Sequence, residues 1–300
     1  MDSAIFHRET NCHVVAVPYP GRGHVNPMMN LCKLLTSKKH DIVITVVATE
    51  EWIGLIASNY EACQIRFASI PNVIPSELVR GADFPGFYEA VMTKMAEPFE
   101  LLLDQLELPV TTIISDSELL WAIRIGNKRN IPVATLCTVP ATVFSVFHHF
   151  SHLHNQQILV NLLENEDEMV CDVQGISSTH LADLRAIFHG YPRRVVQLTL
   201  ECISWVPKAQ FLLFNSVYEL ETHVFDALKE KSNLPIYPIG PAIPFLGSFH
   251  SSTNSTSPSS TNYFQWLDSQ AAGSVFVRFI WELHCHIQGA DGRNCGRTKE

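Results

Sequence analysis

Short apolar runs alternate with longer stretches of helical period through the first 240 residues. His13–Pro18 (HVVAVP) reads as a continuous apolar strand. A Gly/Pro turn follows, then a helix in which Met28, Leu31, Leu34 and Leu35 recur at helical spacing. Ile42–Val47 (IVITVV) predicts a second buried strand and Ile65–Ile70 a weaker third. A long amphipathic helix is predicted over Phe87–Leu106, then a strand over Thr111–Ser115 (TTIIS) that ends at Asp116. A helix through Leu119, Leu120, Ile123 and Ile125 leads to the strand Pro132–Cys137. Phe211–Phe214, the helix Glu219–Lys231 and Ile236–Ile239 close the series.

Strands that are apolar on both faces and separated by helices imply a parallel sheet covered on both sides, an α/β, doubly wound architecture. In such sheets ligands bind beyond the carboxyl ends of the strands, at the switch in strand order. Two segments break the alternation. Glu164–Glu168 is a short acidic stretch that reads as a solvated loop, and His250–Asn262 is nearly all Ser, Thr, Asn and Pro. The latter is too polar to bury and reads as a flexible linker. The division expected from this is a first domain over 1–245, a Ser/Thr-rich linker over 246–262, the start of a second domain over 263–276, and a tail over 277–300.

Composition narrows the partners. An apolar fraction of 46% and a charged fraction of 17% suit a globular protein with an ample core. A formal net charge of −9, with no face gathering Lys and Arg, disfavours nucleic acid. No run of eighteen apolar residues suggests a membrane span, and Met1–His13 lacks the apolar core of a signal peptide. The eight cysteines are scattered without a CxxC pair, which reads as reduced, buried thiols. A cytoplasmic protein is expected.

The candidate chemistry lies in the loop after the first strand, Pro18-Tyr19-Pro20-Gly21-Arg22-Gly23-His24-Val25-Asn26-Pro27. Its glycines permit close backbone approach, and Pro27 suits the first turn of the following helix. His24 is thereby placed at the mouth of the sheet beside a helix N-terminus, whose positive end favours a neutral ring, the state a general base needs. A helix-capping role would also account for it. Asp116 ends a different strand and should point into the same crevice. There a carboxylate can fix the imidazole tautomer and stabilise the imidazolium, or cap the next helix, or both.

PYPGRGHVNP, together with His24 and Asp116, resembles the N-terminal half of plant family-1 UDP-glycosyltransferases. The likeness continues, in the family's order, through Phe214–Glu221 (FNSVYELE), Tyr237–Pro241 (YPIGP) and Trp266–Gln270 (WLDSQ). It implies the Rossmann-like, mainly parallel N-terminal domain of a GT-B fold, with the acceptor held here and the UDP-sugar mainly by a second domain. Position by position, it implies that His24 is the general base and Asp116 its supporting carboxylate. Thr138 falls where the family places a threonine near the donor sugar, although Cys137 stands where the family usually has Trp. Gly23 and the cleft-lining His148 and His152 are implied to bind substrate. The implied reaction is inverting transfer of a hexose, glucose foremost, from a UDP-sugar co-substrate to a hydroxyl of a small lipophilic acceptor. No cofactor or metal is implied.

Other constellations carry less. Gly21-x-Gly23 does not complete GxGxxG, since Asn26 holds the third position, which disfavours an NAD(P)-dependent oxidoreductase. His148 and His152 would share a helix face at i,i+4 spacing, but no carboxylate motif such as HExxH supports a metal there. A non-catalytic small-molecule-binding protein is the other alternative. After Phe276 the sequence loses both periods. Read one nucleotide later, Ile280-Trp281-Glu282 forces a glycine through the single tryptophan codon, and permitted codons give a Phe-Gly-Ser turn and an amphipathic helix. A frameshifted tail is therefore expected, with the family's donor-binding box missing and the isolated chain inactive.

Overall fold

The computed structural model describes residues 12–39, 41–57, 65–151, 173, 175–177, 192–240, 242, 266 and 268–274. By compactness the chain divides into one unit of Met1–Glu77 with Phe84–Pro244 and another of Leu78–Asp83 with Phe245–Glu300. The acidic stretch 164–168, the linker 250–262 and the tail after 277 lie outside the described residues.

The larger unit is built on seven strands: β1 (Cys12–Val17), β2 (Ile42–Thr49), β3 (Ile65–Ile70), β4 (Thr112–Asp116), β5 (Val133–Cys137), β6 (Phe211–Phe214) and β7 (Ile236–Pro238). They pair in the order β3-β2-β1-β4-β5-β6-β7, every pair parallel. The chain thus runs outward through β2 and β3, returns to the centre, and runs outward the other way from β4. The switch in strand order falls between β1 and β4, where Val17 pairs with Ser115. Asp116 stands one step beyond that pair.

Alternation along the strands explains the two covered faces. Val15 and Val17 of β1 face one core with Val47 and Ile113, while Val14 and Ala16 face the other with Ile44, Val46 and Ile114. The first face is covered by α3 (Phe84–Lys94), α4 (Ala96–Gln105), α5 (Leu120–Arg129) and α7 (Arg193–Trp205), through residues such as Phe87, Phe99, Trp121 and Leu198. The second is covered by α1 (Arg22–Lys38) and α2 (Glu50–Ile56), through Met28, Met29, Leu31 and Trp52. Further along, α6 (Ala141–Ser151) and α8 (Thr222–Lys231) pack Phe144 and Phe225 on Phe214. Fully burying such side chains is worth about 1.5–3 kcal/mol each.

Three local readings are corrected. The predicted helix over Phe87–Leu106 is two helices, α3 and α4, broken at Met95. Pro98 has no N–H to offer the Lys94 carbonyl, and its ring crowds that carbonyl, so the first helix stops there. Pro27 is not in the first turn: α1 already begins at Arg22, because the Gly21 carbonyl accepts from His24 N–H at 2.9 Å and Val25 N–H at 2.8 Å. The third concerns Asp116: α5 starts from Leu119, so Asp116 is not its N-cap. Its Oδ1 instead accepts from the Glu118 backbone N–H at 3.0 Å, an Asx-type turn that shapes the strand exit.

Helix α5 is tied closely to the sheet. Asn130 takes a left-handed conformation (φ 55°) to end it, and the Ile131 N–H bonds the Gly126 carbonyl at 2.9 Å. A Cβ added at Gly126 would lie 2.2 Å from Val133 Cγ2, so glycine here sets how near α5 approaches β5.

Candidate active site

The carboxyl ends of β1, β4 and β5 converge, and each delivers one polar side chain. From the first turn of α1, His24 directs Nδ1 at Asp116 Oδ2, 2.8 Å away. Thr138, just past β5, sets Oγ1 3.1 Å from the same nitrogen. The Asp116 side chain is fully buried, whereas that of His24 is 26% exposed. A carboxylate has no proton to give, so Nδ1 carries the hydrogen and the neutral ring keeps its lone pair on Nε2. The tautomer follows from the partner.

Packing holds the ring as well. Tyr19, buried in the β1–α1 turn, lies with its ring 4.9 Å from that of His24 and 5.7 Å from that of Tyr88. His13 on β1 is by comparison a buried core histidine: it spends Nδ1 on the Leu108 carbonyl at 3.0 Å and Nε2 on Thr45 Oγ1 at 2.8 Å.

The remaining candidates fall out unevenly. Gly23 is exposed in the first turn of α1, and a Cβ there would meet nothing within 4 Å, so tight backbone packing is not its reason. His148 lies on α6, half-buried, with its ring stacked 5.6 Å from that of Phe144. His152 lies outside the described residues.

The residues of FNSVYELE have a mechanical part. Glu221 reaches back to the start of α6 and accepts from Ala141 N–H at 3.1 Å, Thr142 N–H at 2.8 Å and the Thr142 hydroxyl at 2.8 Å. Ser216 donates to it too. Burial works against the charged form, but the bonds from Ser216, Thr142 and Ala141 prevail and hold the Glu221 carboxyl below its ordinary range. That carboxylate satisfies the open N–H groups of the helix carrying His148.

Sequence reasoning passed over Glu118. Its carboxyl accepts from the Tyr88 hydroxyl, which also stands 3.2 Å from Thr199 Oγ1, and its carbonyl accepts from Cys202 Sγ at 3.2 Å. Burial above all, then the neighbouring Asp116, push the Glu118 carboxyl up to about 7, against the Tyr88 hydrogen bond and His24. The only sequence signal was a charged residue two places after a strand-ending Asp, within an apolar run.

Fold and site together define a Rossmann-like α/β domain with a histidine–aspartate pair at its switch point. No protein-family model matches the chain. Over 269 residues it is 47% identical to UDP-glycosyltransferase 87A2 of Arabidopsis thaliana, a match covering 88% of this chain and 57% of that protein. With UDP-glycosyltransferase 87A1 of the same plant the identity is 43% over 261 residues, covering 86% and 58%. Phytolacca americana UGT2 complexed with UDP-2fluoro-glucose and pterostilbene superposes with a TM-score of 0.66 at 19% identity, covering 88% of this chain and 58% of that one. The chain is a homologue of the plant UDP-glycosyltransferases over their N-terminal half, and it spans under three-fifths of the length of these relatives.

Proposed function

We propose that this chain supplies the acceptor side of an inverting UDP-glycosyltransferase. His24 Nε2 takes the proton of an acceptor hydroxyl, the oxygen attacks the anomeric carbon of the sugar, and UDP departs with the bonding pair. Asp116 fixes the reactive tautomer and stabilises the imidazolium that forms. Thr138 helps to orient the ring, and Gly23 leaves open space at the α1 N-terminus for a substrate group. His148 lines the acceptor side. The acceptor is a small lipophilic alcohol, phenol or acid, and the donor a UDP-hexose held mostly by a partner domain. No metal is needed, because protein donors can stabilise the leaving diphosphate. A cytosolic location belongs to the proposal, on the strength of the buried thiols Cys32, Cys137 and Cys202; among the described residues no helix is long and apolar enough to cross a membrane.

The observation that carries this reading is the 2.8 Å contact between His24 Nδ1 and a fully buried Asp116 at the switch point. The test is to continue the chain from residue 276 through the C-terminal domain of UDP-glycosyltransferase 87A2 and assay UDP release with UDP-glucose and a panel of phenols. Turnover with at least one acceptor is expected. A folded chimera that binds phenols and never releases UDP would favour a binding protein instead.

A further inference from the structure

Behind the His24–Asp116 pair lies a third group able to exchange a proton. Glu118 hangs from the turn that Asp116 itself shapes, since the Glu118 N–H bonds Asp116 Oδ1 at 3.0 Å while Asp116 Oδ2 holds His24 at 2.8 Å. One carboxylate therefore ties both neighbours to one rigid turn. The Glu118 side chain is fixed at its far end by the Tyr88 hydroxyl, and Tyr88 is in turn packed through Tyr19 onto the His24 ring.

We infer that Glu118 is a positioning carboxyl for this site, whose gain and loss of a proton sets how firmly His24 holds its own. This rests on the reading of His24 as the base. Five titratable groups among the described residues face Glu118. Asp116 comes from β4, His24 from α1, Tyr88 from α3, Cys137 from β5 and Cys202 from α7. Burial pushes the Tyr88 phenol and the thiols of Cys137 and Cys202 upward, so these three stay neutral in the physiological range. The charges that then bear on the imidazole are the carboxylates of Asp116 and, when it is ionised, Glu118. An ionised Glu118 adds a second negative charge beside the imidazole and strengthens its hold on a proton. A protonated Glu118 removes that charge and makes the ring the weaker base. With the Glu118 carboxyl pushed up to about 7 by burial, the strength of the base changes as pH passes through that value.

The test needs no turnover. Titrate the 300-residue chain, labelled with ¹⁵N-histidine, by NMR, with His24 assigned through His24→Gln. In Glu118→Gln the His24 midpoint should fall by about half a unit or more, and a second inflection near neutral pH should disappear. Tyr88→Phe removes the donor that favours ionised Glu118, so that inflection should move to higher pH. This second variant also keeps the idea testable if Glu118→Gln fails to fold. His24 curves of the same midpoint and shape in the wild type and in each folded variant would overturn the inference. A coupled titration in a chimera that transfers no sugar would instead preserve it and remove the catalytic reading.

Discussion

His24 and Asp116, 92 residues apart in the chain, meet at 2.8 Å because their strands β1 and β4 are neighbours only through the switch in strand order. The same carboxylate accepts from the Glu118 N–H on its other oxygen, so the turn after β4 orients the carboxylate that holds the His24 ring. Fold and chemistry are joined through Asp116.

The tautomer is the first consequence. Long-range ¹⁵N spectra of the chain should show His24 protonated at Nδ1 in its neutral form. Asp116→Leu should lose that preference, and in an active chimera Asp116→Asn should lower kcat by up to roughly 10⁴ if tautomer control dominates. A wild-type His24 protonated at Nε2 would contradict the arrangement.

Two glycines separate packing from function. Gly126→Ala places a methyl 2.2 Å from Val133 Cγ2 and should cost about 1–3 kcal/mol in urea unfolding. Gly23→Ala meets no neighbour and should leave stability unchanged or slightly raised. If the space before Gly23 takes substrate, that same variant should raise KM in an active chimera. Equal stability loss at both positions would refute the distinction.

Much of this was legible from the chain alone. Each of the seven strands stands where an apolar run predicted it. For β1 and β5 the reason is that a strand buried on both faces has few polar positions to blur the run. The edge strand Ile65–Ile70 was legible to the residue even though Arg66 and Ser69 are exposed. His24 and Asp116 were readable for a related reason: strand exits at a switch point define the crevice. The helices were harder. The break at Met95 depends on one proline within a continuous apolar period, and α7 (RRVVQLTLECISW) is rich in β-branched residues that carry no strong helical preference. Glu118 was beyond reach, because its partners Tyr88 and Cys202 come from two separate helices.

Glu221 makes a further claim on stability. Glu221→Ala opens the N-terminus of α6 and should cost about 1–2 kcal/mol. Its carboxyl is lowered from an ordinary value of 4.5, so its contribution is fully present above that value and is lost as pH falls through the depressed one. The wild type and Glu221→Ala should therefore converge in stability in strong acid. A constant gap across pH 2 to 7, roughly the carboxyl titration range, would assign the loss to packing instead.

The proposed acceptor-side role of His148, stacked on Phe144, is open to test. In an active chimera His148→Ala should change the ratio of kcat/KM between a flat phenol and an aliphatic alcohol, and a chelator should leave both values alone. Loss of activity on adding the chelator, restored by a divalent cation, would require a metal that the proposal does not include.

Proton transfer at His24 is the central claim, and kcat of His24→Ala in the chimera tests it most directly. With a saturating UDP-sugar and an alcohol or phenol acceptor, kcat should fall by roughly 10²–10⁴, the usual worth of a positioned general base, while acceptor binding to the folded variant persists. Full turnover by His24→Ala towards an ordinary alcohol would contradict the account.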